Sequence, residues 1–190
     1  NGENKEVVRV TQQMEPQRGT LGLLLDNSNS NCLIDLRDAA REFIGLRSAT
    51  DKIILMTINE NLDLLSDLSH NRAGQLNLIN GLTRTGNTKL YDGITEAVSS
   101  HLAEQRTPRF LMLISDGVDE GRPRDARGSM RTLDTAIAAA KLAGVKIFTV
   151  ELGPTWPEGT AALKRLAAET GGKYMTWDID ASSAQFAEIY

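Results

Sequence analysis

Asp26, Ser28 and Ser30 fall at alternate positions in the stretch 21–30, LGLLLDNSNS. In an extended or turning backbone, side chains with this spacing reach the same side. One carboxylate and two hydroxyls gathered in this way suit a hard divalent cation such as Mg²⁺. They also suit a plainer role, an Asx or serine turn that caps the next helix. Two distant segments bear on that choice. Asp116 follows the apolar run RFLMLIS and precedes Gly117. Thr88 follows a glycine turn at Gly86 and stands just before an amphipathic run; taken alone, it reads as a helix N-cap.

Elements that could bring these residues together are legible in the hydrophobic pattern. The short apolar run before Asp26 suits a strand buried on both faces of a parallel sheet. Further strands are expected at 51–58, 109–115, 145–152 and 173–177. Segment 62–68 follows 51–58 after only three residues, so an antiparallel hairpin to an edge strand is expected. Helical spacing appears at 33–46, 73–79, 90–102, 133–143 and 160–170, with Gly144 and Gly171 as closing residues. A last helix is expected from Ser182 to the end. The first 19 residues are polar around Val7, Val8 and Val10 and read as a tether or edge strand, leaving 20–190 as one domain.

Strands alternating with helices imply an α/β fold, a doubly wound, Rossmann-like, mostly parallel sheet with right-handed crossovers. The simplest strand order is 3-2-1-4-5-6 with one antiparallel edge strand. That order places the strand ending at Asp26 beside the strand ending at Asp116. The crevice between them is the topological switch point, where open α/β sheets bind ligands.

The trio of segments resembles the von Willebrand factor type A domain and its metal-ion-dependent adhesion site, or MIDAS. In that family the pattern is D-x-S-x-S, then a threonine in a G-x-T-x-L-x-D-like segment, then an aspartate in a D-G motif. Here the matching positions are Asp26, Ser28, Ser30, Thr88 and Asp116. The resemblance extends over about 20–190, through LDTAIAAAKLAGVKIFTVELG and LKRLAAETGGKY. It implies a site for Mg²⁺ or Mn²⁺, with Ca²⁺ as a further option, that leaves room for a Glu or Asp carboxylate from a partner protein. Ser28 and Ser30 are the expected direct ligands; the other three coordinate directly or through water. Asn29 stands where the family often has glycine, and asparagine tolerates a left-handed backbone better than most residues. Glu151 also stands at a frequent glycine position, which bears on how that loop packs.

The rest of the chain narrows the reading. At 190 residues it fits one domain with a sizeable core. A net charge of −4 gives no global reason to expect nucleic acid binding, and no apolar run approaches the ~20 residues needed to span a bilayer. With Cys32 as the single cysteine, an intrachain disulfide and a cysteine-based zinc site are excluded; a buried apolar role is expected for it. The chain opens at Asn1, not methionine, and shows no signal-peptide pattern, so a mature or excised fragment of something longer is expected, and with it an extracytoplasmic setting and a monomeric isolated domain.

Two loops should share the metal face. The stretch 120–131 carries Arg122, Arg124, Arg127 and Arg131, which read either as a basic rim steering an acidic partner or as a solvated loop. The stretch 153–159, GPTWPEG, offers Trp156 as an exposed anchor, or as a ring folded back on the domain. His70 and His101 read as surface residues. An enzyme is the alternative class. The segment 81–88 nearly spells a phosphate loop, but Asn87 stands where lysine is required and no strand precedes it. No G-x-G-x-x-G follows the first strand. A metal-assisted phosphotransferase or hydrolase would have only Asp119 and Lys89 to draw on, without a clear place for either. A scaffold domain with a purely structural metal is the third option. The expected function is therefore non-enzymatic: metal-dependent protein binding, in adhesion or assembly.

Overall fold

The structure, a computed structural model, describes residues 19–28, 32–48, 51–106, 108–121, 128–154 and 156–177. Six strands form one sheet: β1 (Thr20–Asp26), β2 (Ile53–Ile58), β3 (Leu62–Ser69), β4 (Arg109–Ser115), β5 (Val145–Glu151) and β6 (Tyr174–Thr176). Their order is β3-β2-β1-β4-β5-β6, with β3 antiparallel to β2 and every other pair parallel. This is the order expected from the sequence. It follows from uniform crossover handedness: the chain winds outward from β1 to β2, returns to the other side of β1 at β4, and winds outward again.

Among the described residues, five α-helices cover the faces: α1 (Leu33–Leu46), α2 (Arg72–Asn80), α3 (Leu90–Glu96), α4 (Leu133–Ala143) and α5 (Pro157–Thr170). Successive residues of β1 alternate between two cores, as a pleated strand requires. Leu23 and Leu25 join Leu36, Ala40, Phe43 and Ile44 of α1 on one face. Leu24 joins Ile54 and Met56 of β2 and the apolar sides of α3, α4 and α5 on the other. All seven residues of β1 are buried, which fixes the strand that ends at Asp26.

Three details differ from the expected elements. The helix expected over 90–102 runs as α3 and then as a π-helical turn, Ala97–Leu102, whose widened ladder is seen in Ala103 N donating to Val98 O at 2.9 Å. Helix α5 starts three residues earlier than expected, because Pro157 takes a first-turn position, where its missing N–H costs nothing. The sixth strand is shorter than 173–177. The patch at Val7–Val10, the tether reading of 1–19 and the helix from Ser182 lie outside the described residues.

Helix α3 matters for the site because Thr88 immediately precedes it. Its approach to the sheet depends on Gly93: a Cβ there would come within 2.0 Å of Ile58 Cδ1 on β2. The missing side chain lets the helix lie directly on the strand beside β1.

Candidate metal centre

Asp26 is the last residue of β1, 3% exposed, at the carboxyl edge of the sheet. Its Oδ1 accepts a hydrogen bond from Ser28 N at 3.1 Å, so the Asx turn read from the sequence is present. The Ser28 hydroxyl bears on the same carboxylate. Its Oδ2 accepts a bond from Ser115 Oγ at 2.6 Å, and that hydroxyl in turn accepts from Gly117 N at 2.9 Å. Ser115 thus connects the end of β1 to the Asp116-Gly117 turn at the end of β4. The helix-capping part of the plainer reading is not found for Ser28. Helix α1 has Cys32 at its N-cap position and no side-chain capping bond. Ser30 lies outside the described residues.

Asp116 follows β4, and its Oδ1 accepts from Val118 N at 3.1 Å. Gly117 has φ +79°, and a Cβ there would meet Gly159 O at 2.5 Å. Glycine is needed on both counts, and the turn that aims Asp116 is pinned against the start of α5. Thr88 is tied to the same loop: Thr88 N donates to Glu120 O and Glu120 N to Thr88 O, both at 3.0 Å. Thr88 does not cap α3, contrary to the plain reading of that residue. Asp119 Oδ1 accepts from Leu90 N at 2.8 Å, and Ser129 Oγ accepts from Tyr91 N at 3.0 Å and Asp92 N at 3.1 Å. These two side chains satisfy the first N–H groups of the helix. The Thr88 hydroxyl is not spent on that task.

Electrostatics follow from this packing. Burial pushes the Asp26 carboxyl up to about 6, and the charge of Asp116 adds to the rise; hydrogen bonds from Ser115 and Ser28 oppose it. Asp116 is raised as well, first by burial, with Glu120 and Glu151 adding. Carboxylates raised in this way, in a buried crevice, call for a compensating positive charge. A divalent cation would supply it, and the hydroxyls of Ser28 and Thr88 would add neutral oxygen donors, the set a hard ion prefers. The donor set therefore fits Mg²⁺ or Mn²⁺. Among the described residues, no group of three or more His, Cys, Asp or Glu gathers as a metal site.

Several residues that hold the site carry no motif signal of their own. Ser115 lies next to Asp26 because β1 and β4 pair in parallel, with Leu25 opposite Ile114. Asn27 holds the loop before Thr88: its Nδ2 donates to Thr83 O at 3.0 Å, and its carbonyl accepts from Thr85 N at 3.1 Å. Ser129 completes the α3 cap by donating to Asp119. Both oxygens of Asp119 are thus engaged in capping α3 and in holding Ser129.

Of the flanking residues, Trp156 is 40% exposed at the N-cap of α5. Arg131 pairs with Asp92 at 3.4 Å; Arg122, Arg124 and Arg127 lie outside the described residues. Cys32 is buried, as expected. Glu151 is buried at the end of β5 and accepts hydrogen bonds from the Tyr174 hydroxyl and the Thr160 hydroxyl. A carboxylate in place of glycine thus joins β5, α5 and β6. Burial together with the Glu151 contact drives the Tyr174 phenol up to about 12.

Residues 21–118, just over half of the chain, match the model of the von Willebrand factor type A domain, and the chain belongs to that family. No curated protein matches it. Solved structures with the same fold include the conserved hypothetical protein BatB from Bacteroides thetaiotaomicron, at 15% identity and TM-score 0.70, covering 90% of this chain and 97% of that one. A mutant of the PilB minor pilin from Streptococcus sanguinis gives 13% identity and TM-score 0.71, covering 94% of this chain and 62% of that one. Proximal thread matrix protein 1 from the mussel byssus, described with a zinc-occupied MIDAS motif, gives 15% identity and TM-score 0.67, covering 90% of this chain and 44% of that one. This chain spans less than two thirds of the pilin and less than half of the mussel protein. At such identities the likeness is one of fold. No enzymatic family is indicated by the match.

Proposed function

We propose that this domain is a metal-dependent protein-binding module. It holds one Mg²⁺ or Mn²⁺ through Asp26, Ser28, Ser30, Thr88 and Asp116, and it captures an Asp or Glu carboxylate of a partner protein on the ion. The observation that carries the reading is the placement of Asp26 and Asp116 at neighbouring strand ends, where Ser115 ties the Asp26 carboxylate to the backbone N–H of Gly117 in the turn after Asp116 and both carboxyls are raised by burial. The ion's charge of +2 would meet two carboxylates and neutral hydroxyls, leaving it attractive to an outside oxyanion. The chain's own residues divide the work. Ser115 orients Asp26, the Gly117–Gly159 contact aims Asp116, and the Thr88–Glu120 bridge fixes the third segment. We extend the same reading to setting: adhesion or assembly outside the cytoplasm, in keeping with the pilin and byssus proteins that share the fold.

Titration calorimetry with Mg²⁺ and Mn²⁺ tests the assignment. Asp26→Ala should abolish binding, because it removes half of the negative charge that the ion needs. Wild-type affinity in that variant would refute it.

A further inference from the structure

A groove of about 440 Å³ opens between α5 and β6, lined by Pro157, Thr160, Ala161, Lys164 and Tyr174. None of the five residues assigned to the metal lines it. Pro157, Thr160, Ala161 and Lys164 fall at i, i+3, i+4 and i+7 on α5, so they share one helix face. Tyr174, on β6, supplies the other wall. The volume suits a small-molecule site, and so does a mostly apolar lining with a few placed polar groups. Glu151, 3% exposed at the end of β5, sets the direction of those groups. The Tyr174 and Thr160 hydroxyls both donate to its carboxylate. Each hydroxyl has one proton to give, so both oxygens are left as acceptors. The buried carboxylate strengthens them, because hydrogen bonds in series polarise one another. With its phenol pushed up to about 12, Tyr174 keeps that proton at neutral pH. Lys164 Nζ lies 5.0 Å from the centre of the Tyr174 ring. Contact with a ring face commits none of its N–H donors to an oxygen. The groove thus offers two acceptors, one cationic donor, and an apolar wall of Pro157 and Ala161.

We propose that this groove binds a pyranose ring of a glycan, independently of the metal. A sugar hydroxyl can donate and accept at once. One ring can therefore give protons to the Thr160 and Tyr174 oxygens and take one from Lys164. Its C–H face covers Pro157 and Ala161 and removes their surface from water. Other ligand classes match less well. A carboxylate or a fully ionised phosphate brings only acceptors, against two acceptor oxygens backed by the charge of Glu151. An amine brings only donors and meets the like charge of Lys164.

Saturation-transfer NMR on the full chain tests this with methyl glucopyranoside, methyl galactopyranoside and methyl N-acetylglucosaminide at millimolar concentration. Each is measured in Mg²⁺ and in chelator, and backbone amide shifts locate the contact. At least one sugar should show transfer in both buffers, with shifts gathered at 157–164 and 174–176. Lys164→Ala should weaken its binding at least about fivefold by removing the donor, and Tyr174→Phe should do the same by removing an acceptor. Lys164 is exposed, so its variant stays folded and keeps the test decisive even if loss of the Tyr174–Glu151 bond costs the other variant its fold. Absence of transfer from all three sugars would overturn the proposal, as would shifts gathered elsewhere or unchanged affinity in Lys164→Ala. Sugar binding that disappears in chelator would overturn it too, by tying the contact to the metal. Shifts in the groove from the capped dipeptide N-acetyl-alanyl-alanine methylamide, with none from the sugars, would assign the groove to a peptide instead.

Discussion

Replacing Asp26 by asparagine should stabilise the domain in chelator and weaken it in Mg²⁺, and the size of the first effect follows from the structure. The buried carboxyl titrates near 6 rather than at its ordinary 3.8. Because the folded state holds the proton more tightly, the folded protein binds more protons than the unfolded chain between these values. Stability therefore falls as pH rises through that window, and the full penalty stands above it. At about pH 7.5 it amounts to about 3 kcal/mol, and at about pH 5 to roughly half of that. Asparagine removes the charge and keeps one acceptor, but it weakens one hydrogen bond with Ser115 or Ser28, a loss of about 1 kcal/mol. The net gain at about pH 7.5 is about 2 kcal/mol, or roughly 4–8 °C in Tm for a domain of this size. In Mg²⁺ at about a hundred times its Kd, the wild type gains about 2.7 kcal/mol by mass action and the variant does not, so the order reverses. Urea melts at both pH values, with and without Mg²⁺, read this directly. Wild type should remain folded in chelator at room temperature, because the core does not depend on the ion. An Asp26→Asn variant less stable than wild type in chelator at about pH 7.5 would refute the reasoning, as would identical responses of the two proteins to Mg²⁺.

Three further outcomes are expected. Ser115→Ala removes the donor to Asp26 and the acceptor of Gly117 N, so it should cost about 1–3 kcal/mol and weaken Mg²⁺ binding without removing a ligand, as calorimetry and urea melts would register. Gly93→Val should drive side-chain atoms into Ile58 and cost about 1–3 kcal/mol, with the loss visible in the urea midpoint. The Tyr174 phenol should titrate near 12 by ultraviolet absorbance, and Glu151→Gln should bring it down, since a neutral amide neither repels the phenolate nor holds its proton as strongly.

Much of the fold was legible because β1, β2, β4 and β5 are dense apolar runs and the helices between them keep a helical spacing. Helix α1 falls at Leu33–Leu46, as its spacing predicts. The strand order followed from crossover rules alone, and that order makes Asp26 and Asp116 neighbours. Pro157 was a readable start for α5 that apolar spacing alone passed over, since the first turn there carries no periodic residue. The π-helical turn at Ala97–Leu102 left no such mark. Ser115, Asn27 and Ser129 escaped because their roles come from register and loop contact, not from local pattern. Ser115 bonds Asp26 across 89 positions. The same cause corrects Thr88: its N-cap signal was real in sequence, but Asp119 and Ser129, brought in from elsewhere, take the helix N–H groups.

The central claim is that one divalent cation sits between the carboxyl ends of β1 and β4. A crystal grown with Mn²⁺ and measured for anomalous scattering above the manganese edge tests it most directly. The expected result is a single strong peak bounded by Asp26, Ser28, Ser30, Thr88 and Asp116. A peak elsewhere on the domain, or none at a Mn²⁺ concentration that saturates calorimetric binding, would contradict it.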